Sequence, residues 1–562
     1  MRTNAATLLT QLVRIKDDYS PSAGDRKLEL IHILDRRRLP TAKAVYEFHE
    51  VLSFLHAYPD NARVHARAEA TLKRFARRSD LRRFAAKLTD TGIEGTPTGY
   101  SFYWSTARWL EKRWGGNLSI SWNGLNEEKL WGVLYALLPF TETLALDDAE
   151  IDVRGLLEIL KRPDETDAGF LIRRVAKSLG REDTREIVFE DMDITFRIAP
   201  GPGTPTRTAA RYRPSPVRFQ TRPLDRSRPD LTQAVRVPPV AVRAVTPREG
   251  RRLIDMARTA MVARSRDLYV FEHPDENDVR MVDCGDGLQF VAIGLVPEHR
   301  LMLDTIYGFL TLKNGVPIGY VLTRSYFGSC EVAYNVFETF RGGESAYIYG
   351  RALAMARHLF GGDVFTVDPY QMGHENTEGL KSGAWWFYYK LGFRPLDPDV
   401  KRLLRAELAE MRRNPAHRSS LSTLNELSSR NMFLFLGKQR EDVAGLIPMS
   451  DIGLAVSHYL ARRFGSDRER AVRVCEREVG QLLGVKSLRG LSAGERLAWR
   501  RWCPLIMALP GVATWPLHER RALALIARAK GGRRESDYVS RFDAHRKLRR
   551  ALFKLAANAP SA

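Results

Sequence analysis

Four short apolar runs follow one another closely between Leu288 and Phe337, and they constrain the fold of this chain more than any other feature. The runs are LQFVAIGLV, TIYGFLTLK, VPIGYVLTR and SCEVAYNVF. They are rich in β-branched and aromatic residues and are bounded by turn-forming residues, which is typical of strands. Asn314-Gly315 lies between the second and third runs, and this dipeptide is a preferred loop of two-residue hairpins. The sequence therefore predicts an antiparallel sheet here.

Helical patterns occupy the chain on both sides of these runs. Up to about residue 190, apolar residues recur every three or four positions, in segments such as AVYEFHEVLSFLHAY and KLWGVLYALLPF. That spacing predicts amphipathic helices. One stretch, EIVFEDMDITFRI, alternates with a period of two and predicts a strand or hairpin instead. From about Pro398 the helical spacing returns and continues to the end of the chain.

A stretch rich in proline and arginine separates the first helical region from the strands. Residues 199–249 show no amphipathic period, which indicates a linker or an extended strap. We therefore expect a helical domain at 1–198, this linker at 199–249, an α/β domain at 250–397 and a basic helical domain at 398–562. The predicted fold class is α/β, with a central mixed sheet flanked by helices and all-α domains at both ends.

The charge of the chain is strongly basic. The formal net charge is +21, and the excess of Lys and Arg lies almost wholly in the linker and the C-terminal third. Such a bias favours contact with nucleic acid or another polyanion. The basic residues are interspersed with acids and accompany no nucleic-acid-binding motif, so an arginine-rich solvated surface also explains them. Both interpretations stay open.

The cysteines and the hydropathy pattern indicate the compartment. Cys284, Cys330, Cys475 and Cys503 are scattered without metal-ligand spacing, which indicates buried thiols in a reducing environment. No apolar run approaches the roughly 18 residues of a membrane span, and the N-terminus lacks the features of a secretory signal. We expect a cytoplasmic protein without a membrane contact.

The end of the fourth apolar run leads into a glycine-containing turn. The strand VAYNVF is followed by Arg341-Gly342-Gly343-Glu344, and a helix is predicted from about Ser345. Glycines at a strand-to-helix turn allow backbone N–H groups to approach an anion, and the helix N-terminus adds unpaired donors and the positive end of its dipole. This fragment is a potential phosphate-binding loop.

A second fragment follows about forty residues later. After a predicted strand, GDVFTVDP, the helix GAWWFYYKL carries Ala384 and Tyr388 and leads to Gly392-Phe393. Together with the RGGESA loop at Arg341, this A-x-x-x-Y-x-x-x-G-F pattern resembles the GNAT acyltransferase superfamily. The resemblance covers about residues 250–397, and the order of strand, loop, helix, strand and helix is the family's order.

The resemblance implies a GNAT-like sheet and acyl transfer from a CoA thioester, with acetyl-CoA as the expected donor, to an amine-bearing acceptor without a metal. In the family the central strand splays to admit the pantetheine arm. Carried over, Tyr388 is the general acid that protonates the leaving thiolate, as suits a phenol with a pKa near 10. The expected cofactor-binding residues are Val336, Phe337, Arg341, Gly342, Gly343, Ser345 and Ala346.

Two positions depart from the family pattern. The family's central loop glycine falls on Glu344, whose carboxylate must point away from the phosphates or pair with Arg341. Lys381 stands where the family often has Asn.

The general base that would deprotonate the acceptor is less clearly indicated. Glu331 and Glu338 lie on or next to the predicted central strand, and His374 and Glu375 lie in an enlarged polar loop. We favour His374 and Glu375 as substrate-side catalytic residues.

Other motifs favour structural roles or a second function. GLSAG at Gly490 matches a nucleophile elbow, but Ser492 and Glu495 have the spacing of a helix capping box. His49-Glu50 and His56 do not have the spacing of a zinc helix, so we predict no metal site. The alternative function is a non-catalytic binding or assembly protein whose basic C-terminal region contacts a polyanion.

Overall fold

The structure is a computed structural model that describes residues 4–147, 150–213, 216–447 and 449–559. The chain folds into two compact units. The first comprises Met1–Pro223, Arg251–His273 and Leu312–Ile318, and the second comprises Leu224–Gly250, Pro274–Thr311 and Gly319–Ala562.

Helices account for most of the regular structure. In chain order they are α1 Ala5–Ile15, α2 Pro21–Arg36, α3 Ala42–Ala57, α4 Ala62–Lys73, α5 Ser79–Arg83, α6 Trp104–Trp114, α7 Glu127–Leu137, α8 Leu144–Asp147, α9 Val153–Leu160, α10 Asp167–Ser178, α11 Glu182–Asp191, α12 Leu231–Ala234, α13 Pro247–Val262, α14 Tyr269–Glu272, α15 Ser345–Phe360, α16 Pro369–Met372, α17 Thr377–Ser382, α18 Ala384–Lys390, α19 Pro398–Arg413, α20 Leu421–Leu427, α21 Met449–Phe464, α22 Arg468–Leu483, α23 Ala493–Ala508, α24 Leu517–Ala529, α25 Glu535–Ala544 and α26 Arg546–Ala557.

The strands form two sheets. They are β1 Thr98–Tyr100, β2 Leu118–Ile120, β3 Phe196–Ile198, β4 Ala241–Ala244, β5 Pro274–Asp283, β6 Leu288–Leu295, β7 Thr305–Lys313, β8 Val316–Tyr326, β9 Ser329–Val336, β10 Val364–Val367, β11 Arg394–Pro395 and β12 Met432–Phe435.

The first unit contains two hydrophobic cores. Helices α1–α5 bury leucines, valines and Phe48 in one of them. The local sequence starts these helices: the Thr41 hydroxyl caps α3 by accepting from the Ala44 N–H, and the Asn61 side chain caps α4. The other core joins α6, α7, α9 and α10 to a small antiparallel sheet with the strand order β1-β3-β2.

This small sheet corrects the prediction that residues 1–198 are all helical. Each of its strands is three residues long, which is too short to produce a readable alternation. The stretch EIVFEDMDITFRI, predicted as a strand or hairpin, instead divides between α11 and β3. Glu182 and Asp183 lie in the first turn of α11, where acidic side chains stabilise the N-terminal end of a helix.

The second unit is organised around a nine-stranded sheet with the order β11-β12-β10-β9-β8-β7-β6-β5-β4. The predicted fold class is confirmed as a mixed α/β fold with a large mixed sheet and many helices. Strands β9 and β10 are parallel, and helix α15 connects them. Their outer neighbours, β8 and β12, pair with them antiparallel.

The hairpin predicted at Asn314-Gly315 joins β7 to β8. Asn314 has φ 48° and Gly315 has φ 75°, the positive values that a two-residue type I′ loop requires at both positions. The Asn314 amide group also donates to the Ala57 carbonyl at 2.9 Å. The side chain therefore fixes the turn as well as tolerating its backbone conformation.

Strand β12 corrects the prediction that the region after residue 398 is all helical. The segment MFLF forms a strand between β10 and β11, and Met432 and Phe433 on it are buried. A four-residue apolar run cannot be distinguished from a helical segment by periodicity alone, so the pattern concealed it. The sheet of this unit thus needs a strand from beyond residue 397.

The C-terminal helices belong to the same unit as the large sheet. Lys530 Nζ lies 2.5 Å from Glu535 Oε1 in a fully buried ion pair. The Glu535 N–H donates to the Asp278 carboxylate of β5 at 3.0 Å. Because breaking one partner of a buried pair leaves an uncompensated charge, this cluster fixes where α25 begins against the sheet.

The four cysteines form no disulfide bond, and all four side chains are buried. In the part of the chain that the structure describes, no helix is long and apolar enough to cross a membrane.

Candidate functional site

A cavity of about 250 Å³ lies in the second unit, where β9 and β10 part. The walls come from the end of β9, the start of α15 and the segment from α16 to α18. Its lining residues are Tyr334, Asn335, Val336, Arg341, Ser345, Gln371, Asn376, Glu378, Gly379, Ser382, Ala384, Phe387 and Tyr388.

The cavity exists because β9 and β10 pair over only a short distance. Their register runs from Ser329↔Val364 to Glu331↔Thr366 and then stops. Strand β9 continues to Val336, and over this stretch its partner is β8. Backbone groups on the side of β9 that faces away from β8 therefore have no strand to pair with, which leaves them available to a peptide-like ligand.

Gly319 of β8 allows the two strands to approach closely at the cavity end of β9. A Cβ at this position would lie 2.3 Å from the Asn335 carbonyl oxygen. The Asn335 side-chain oxygen is itself buried and has no hydrogen-bond partner among the described residues. A buried acceptor without a partner is unusual in a folded protein, and Asn335 lines the cavity.

The turn between β9 and α15 forms a second wall. A short 3₁₀ turn, Glu338–Phe340, follows β9, and Gly342 has φ 77°, a conformation that favours glycine. Helix α15 begins at Ser345, so the N–H groups of its first turn have no acceptor within the helix. They carry the positive end of the helix dipole toward the loop.

Arg341 joins the two sides of the cavity. Its Nε donates to the Val336 carbonyl at 3.2 Å, and its guanidinium forms an ion pair with Glu378 of α17. Both side chains are about half exposed (45% and 58%), so this pair is only weakly stabilising. Glu344, at the position of the family's central loop glycine, is buried and lies outside the lining.

Tyr388 lies on α18 with 4% of its surface exposed, and it lines the cavity. Its ring packs edge-to-face against Tyr349 and Phe393, with centroids 5.5 and 5.9 Å apart. Burial raises the pKa of Tyr388 above its usual value. The hydroxyl is therefore protonated at neutral pH.

Glu331 lies at the last residue pair before β9 and β10 separate. Burial, reinforced by the nearby Asp368 carboxylate, raises the pKa of Glu331 to about 7, although the Arg324 guanidinium opposes the shift. A carboxyl group with this pKa exchanges its proton near neutral pH, as a general base must.

The predicted site residues are distributed unevenly around this cavity. Val336, Arg341, Ser345 and Tyr388 line it. Gly342, Gly343 and Ala346 lie in the adjacent turn and first helical turn without lining it. Phe337 is buried, with its ring 6.2 Å from that of Tyr320.

The two residues that the sequence favoured as substrate-side catalytic residues do not line the cavity. His374 is half-buried, Glu375 is exposed with φ 54°, and neither is among the lining residues. The same loop instead places Gln371, Asn376 and Glu378 there. Asn376 caps α17, and that capping position was the one signal in the sequence that could have located this wall.

The aromatic cluster of α18 divides between core and cavity. Trp385 is fully buried and donates from Nε1 to the Leu427 carbonyl at 2.9 Å, so it belongs to the core. Phe387 and Tyr388 face the cavity instead.

The GLSAG motif has the predicted structural role. Ser492 and Glu495 form a capping box at the start of α23: the Ser492 hydroxyl accepts from the Glu495 N–H, and the Glu495 carboxylate accepts from the Ser492 N–H.

Comparison with known proteins gives no relative: no family model, no curated protein and no solved structure matches the chain.

Proposed function

We propose that the second unit is an acyl-CoA-dependent N-acyltransferase with acetyl-CoA as the donor, in keeping with the sequence resemblance to the GNAT superfamily. The observation that carries the proposal is the cavity at the point where the parallel strands β9 and β10 separate. It is lined by the loop arginine, the first residue of α15 and Tyr388, which are three of the positions that the resemblance selects.

The donor would be held mainly by backbone groups. The N–H groups at the start of α15, near Ser345 and Ala346, suit the pyrophosphate because they are unpaired and lie at the positive end of a helix. The amide groups of a pantetheine arm suit the unpaired edge of β9 beyond Glu331, where they would replace the missing strand. Arg341 would exchange Glu378 for a phosphate, a stronger charge-assisted partner.

The reaction then needs two proton transfers. The acceptor nitrogen attacks the thioester carbonyl, the C–N bond forms, and the C–S bond breaks. Tyr388 gives its proton to the departing sulfur, and a base removes the proton of the attacking amine. We propose Glu331 as the base in place of His374 and Glu375, because it lies at the last residue pair before β9 and β10 separate and its pKa is raised to about 7. Glu331 is not among the lining residues, so it would act through a water molecule.

Isothermal titration calorimetry with acetyl-CoA tests the proposal. We expect saturable binding to the full chain that is weakened in Arg341→Gln. Arg402→Gln is the matched control, since Arg402 also forms an exposed ion pair with a carboxylate, Asp399. Release of free thiol in the presence of a panel of amines then tests turnover. Absence of saturable binding by the wild-type chain contradicts the proposal.

A second candidate function, binding of a polyanion, is favoured by the surface of α22 and α23. A cavity of about 600 Å³ there is lined by two cations, Arg477 and Lys486, and one acid, Glu476, with Val485 and Leu488 beside the buried Trp499. Cations that outnumber acids around a groove favour contact with a polyanion.

Retention on heparin and on duplex DNA over a salt gradient tests this candidate. We expect Arg477→Glu with Lys486→Glu to elute at lower salt, whereas Arg402→Glu with Arg413→Glu should not change elution. Deleting residues 401–562 would be uninformative because it removes β12 from the sheet. Equal elution of both pairs of variants contradicts this candidate.

A further inference from the structure

Three potential metal ligands come together in the first unit, far along the chain from the proposed acyltransferase site. His56 lies in the last turn of α3, and His65 and Glu69 are one turn apart on α4. One donor atom from each of the three residues lies within 4.8 Å of the other two. Residues four apart on a helix present their side chains to the same side, which is why α4 supplies two of the three.

The two imidazoles lie against each other. Their rings stack with centroids 4.6 Å apart at 22°; His56 is only 6% exposed, whereas His65 is half-buried. Solvent therefore reaches the cluster from the His65 side, which gives an ion a path of entry.

Each of the three residues offers one donor atom of a type that divalent transition metals accept. His56 and His65 each supply an imidazole nitrogen, and Glu69 supplies a carboxylate oxygen.

Two cations, Lys73 and Arg211, border the cluster beside Glu69. Lys73 Nζ lies 2.9 Å from Glu69 Oε1, but Lys73 is 60% exposed and free to swing into solvent. Arg211 is held in place because its Nε donates to the Thr208 carbonyl at 2.7 Å, and its guanidinium lies 3.6 Å from Glu69. Arg211 must therefore weaken the binding of any cation beside Glu69.

We propose that His56, His65 and Glu69 form a site for a divalent first-row transition metal, with Zn²⁺ as the reference ion. Two imidazoles and one carboxylate are an established class of zinc ligand set, and they leave a fourth position for water. Bonds to Zn²⁺ in such sites are roughly 2.0–2.2 Å long, so binding would draw together three donor atoms that lie within 4.8 Å of one another without the ion. The bound ion would tie α3 to α4 across the turn that joins them.

Metal titration of the chelator-treated full chain tests this site. A chromophoric competitor for Zn²⁺ measures the affinity, and the visible spectrum of Co²⁺ reports the coordination. We expect one equivalent to bind. His65→Gln and Glu69→Gln should each weaken binding by roughly tenfold or more, whereas Arg211→Gln should strengthen it. His518→Gln is the matched control, because His518 is 81% exposed and lies in the C-terminal helices.

Failure of Zn²⁺ to bind, or binding that is unchanged in both His65→Gln and Glu69→Gln, overturns the proposal. His56 is buried, so His56→Gln risks unfolding the unit, and the two α4 variants decide the matter with circular dichroism as the check on folding. The result does not depend on whether the second unit binds acetyl-CoA.

Discussion

The two halves of β9 have the same neighbour on one side and different surroundings on the other. From Ser329 to Glu331 the strand lies between β8 and β10, and Cys330 is fully buried. From Val332 to Val336 it pairs with β8, and its other edge borders the cavity. One half holds the sheet together, while the other offers backbone and side-chain groups to a ligand.

A strand that is paired on both edges along only part of its length can form a binding site in the other part, while the paired part keeps the sheet stable. The paired half satisfies its own hydrogen bonds and supplies packing. In the other half the buried Asn335 side-chain oxygen has no hydrogen-bond partner among the described residues, so a hydrogen bond formed there would contribute to binding rather than to folding. Substitutions should therefore affect binding or turnover in one half and stability in the other.

The largest expected effect is that of Tyr388→Phe on turnover. Loss of the proton donor should lower kcat by roughly 10²–10⁴-fold with little change in acetyl-CoA affinity, since the ring and its packing are kept. Steady-state release of thiol measures it. Tyr389→Phe is the control, because that ring stacks on Trp385 instead. A kcat equal to that of the wild type would remove Tyr388 from the mechanism.

Substitutions that remove packing around the paired half of β9 should lower the free energy of unfolding. Phe365 of β10 is fully buried opposite Cys330, and Phe365→Ala should lower the free energy of unfolding by about 3–5 kcal/mol. Asn335→Ala, in the unpaired half, should not lower it, because the substitution removes a buried oxygen that has no hydrogen-bond partner among the described residues. Urea unfolding followed by tryptophan fluorescence compares the two, and similar losses in both variants would abolish the distinction between the halves.

Glu331 lies at the boundary, and its effect should be on pH dependence. A base accepts a proton only when ionised, so kcat/KM of the wild type should rise with pH up to about 7, the pKa of Glu331, and level off above it. Glu331→Gln should lose this rise and roughly 10²-fold in rate. Glu338→Gln should keep the rise. Persistence of the rise in Glu331→Gln would transfer the role of base to another group.

The smallest expected effects concern the ion pair across the cavity. Arg341→Gln should weaken acetyl-CoA binding by about tenfold, or about 1.4 kcal/mol. Glu378→Gln should strengthen it by a few-fold, because Arg341 is then released to the phosphates. Calorimetry measures both. Changes in the same direction in the two variants would show that the pair does not compete with the donor.

Much of the sheet could be predicted because its signals are local. The Asn314-Gly315 turn requires positive φ at two positions, and few other dipeptides tolerate that. The apolar runs from β6 to β9 are long enough to identify by composition, and the four residues of β10 are bounded by turn-forming residues in GDVFTVDP. The position of Ser345 at the start of α15 follows from the glycine turn before it.

The rest depended on contacts between distant segments. Strand β12 has four residues, and only its pairing with β10 and β11 distinguishes it from a helical fragment. The wall formed by Gln371, Asn376 and Glu378 is positioned by the turn at Gly373, with φ 127°, so polar composition alone pointed to His374 and Glu375 instead. The raised pKa of Glu331 arises from burial that no local pattern encodes.

The late return of the chain to the sheet has a consequence for biosynthesis. Strand β10 is translated well before its antiparallel partner β12, and α16 to α20 lie between them in the sequence. During elongation at roughly 5–20 residues per second, the edge of β10 waits several seconds for its partner. Unpaired edges promote aggregation, so ribosome-bound chains that end before Met432 should be the species that chaperones recognise.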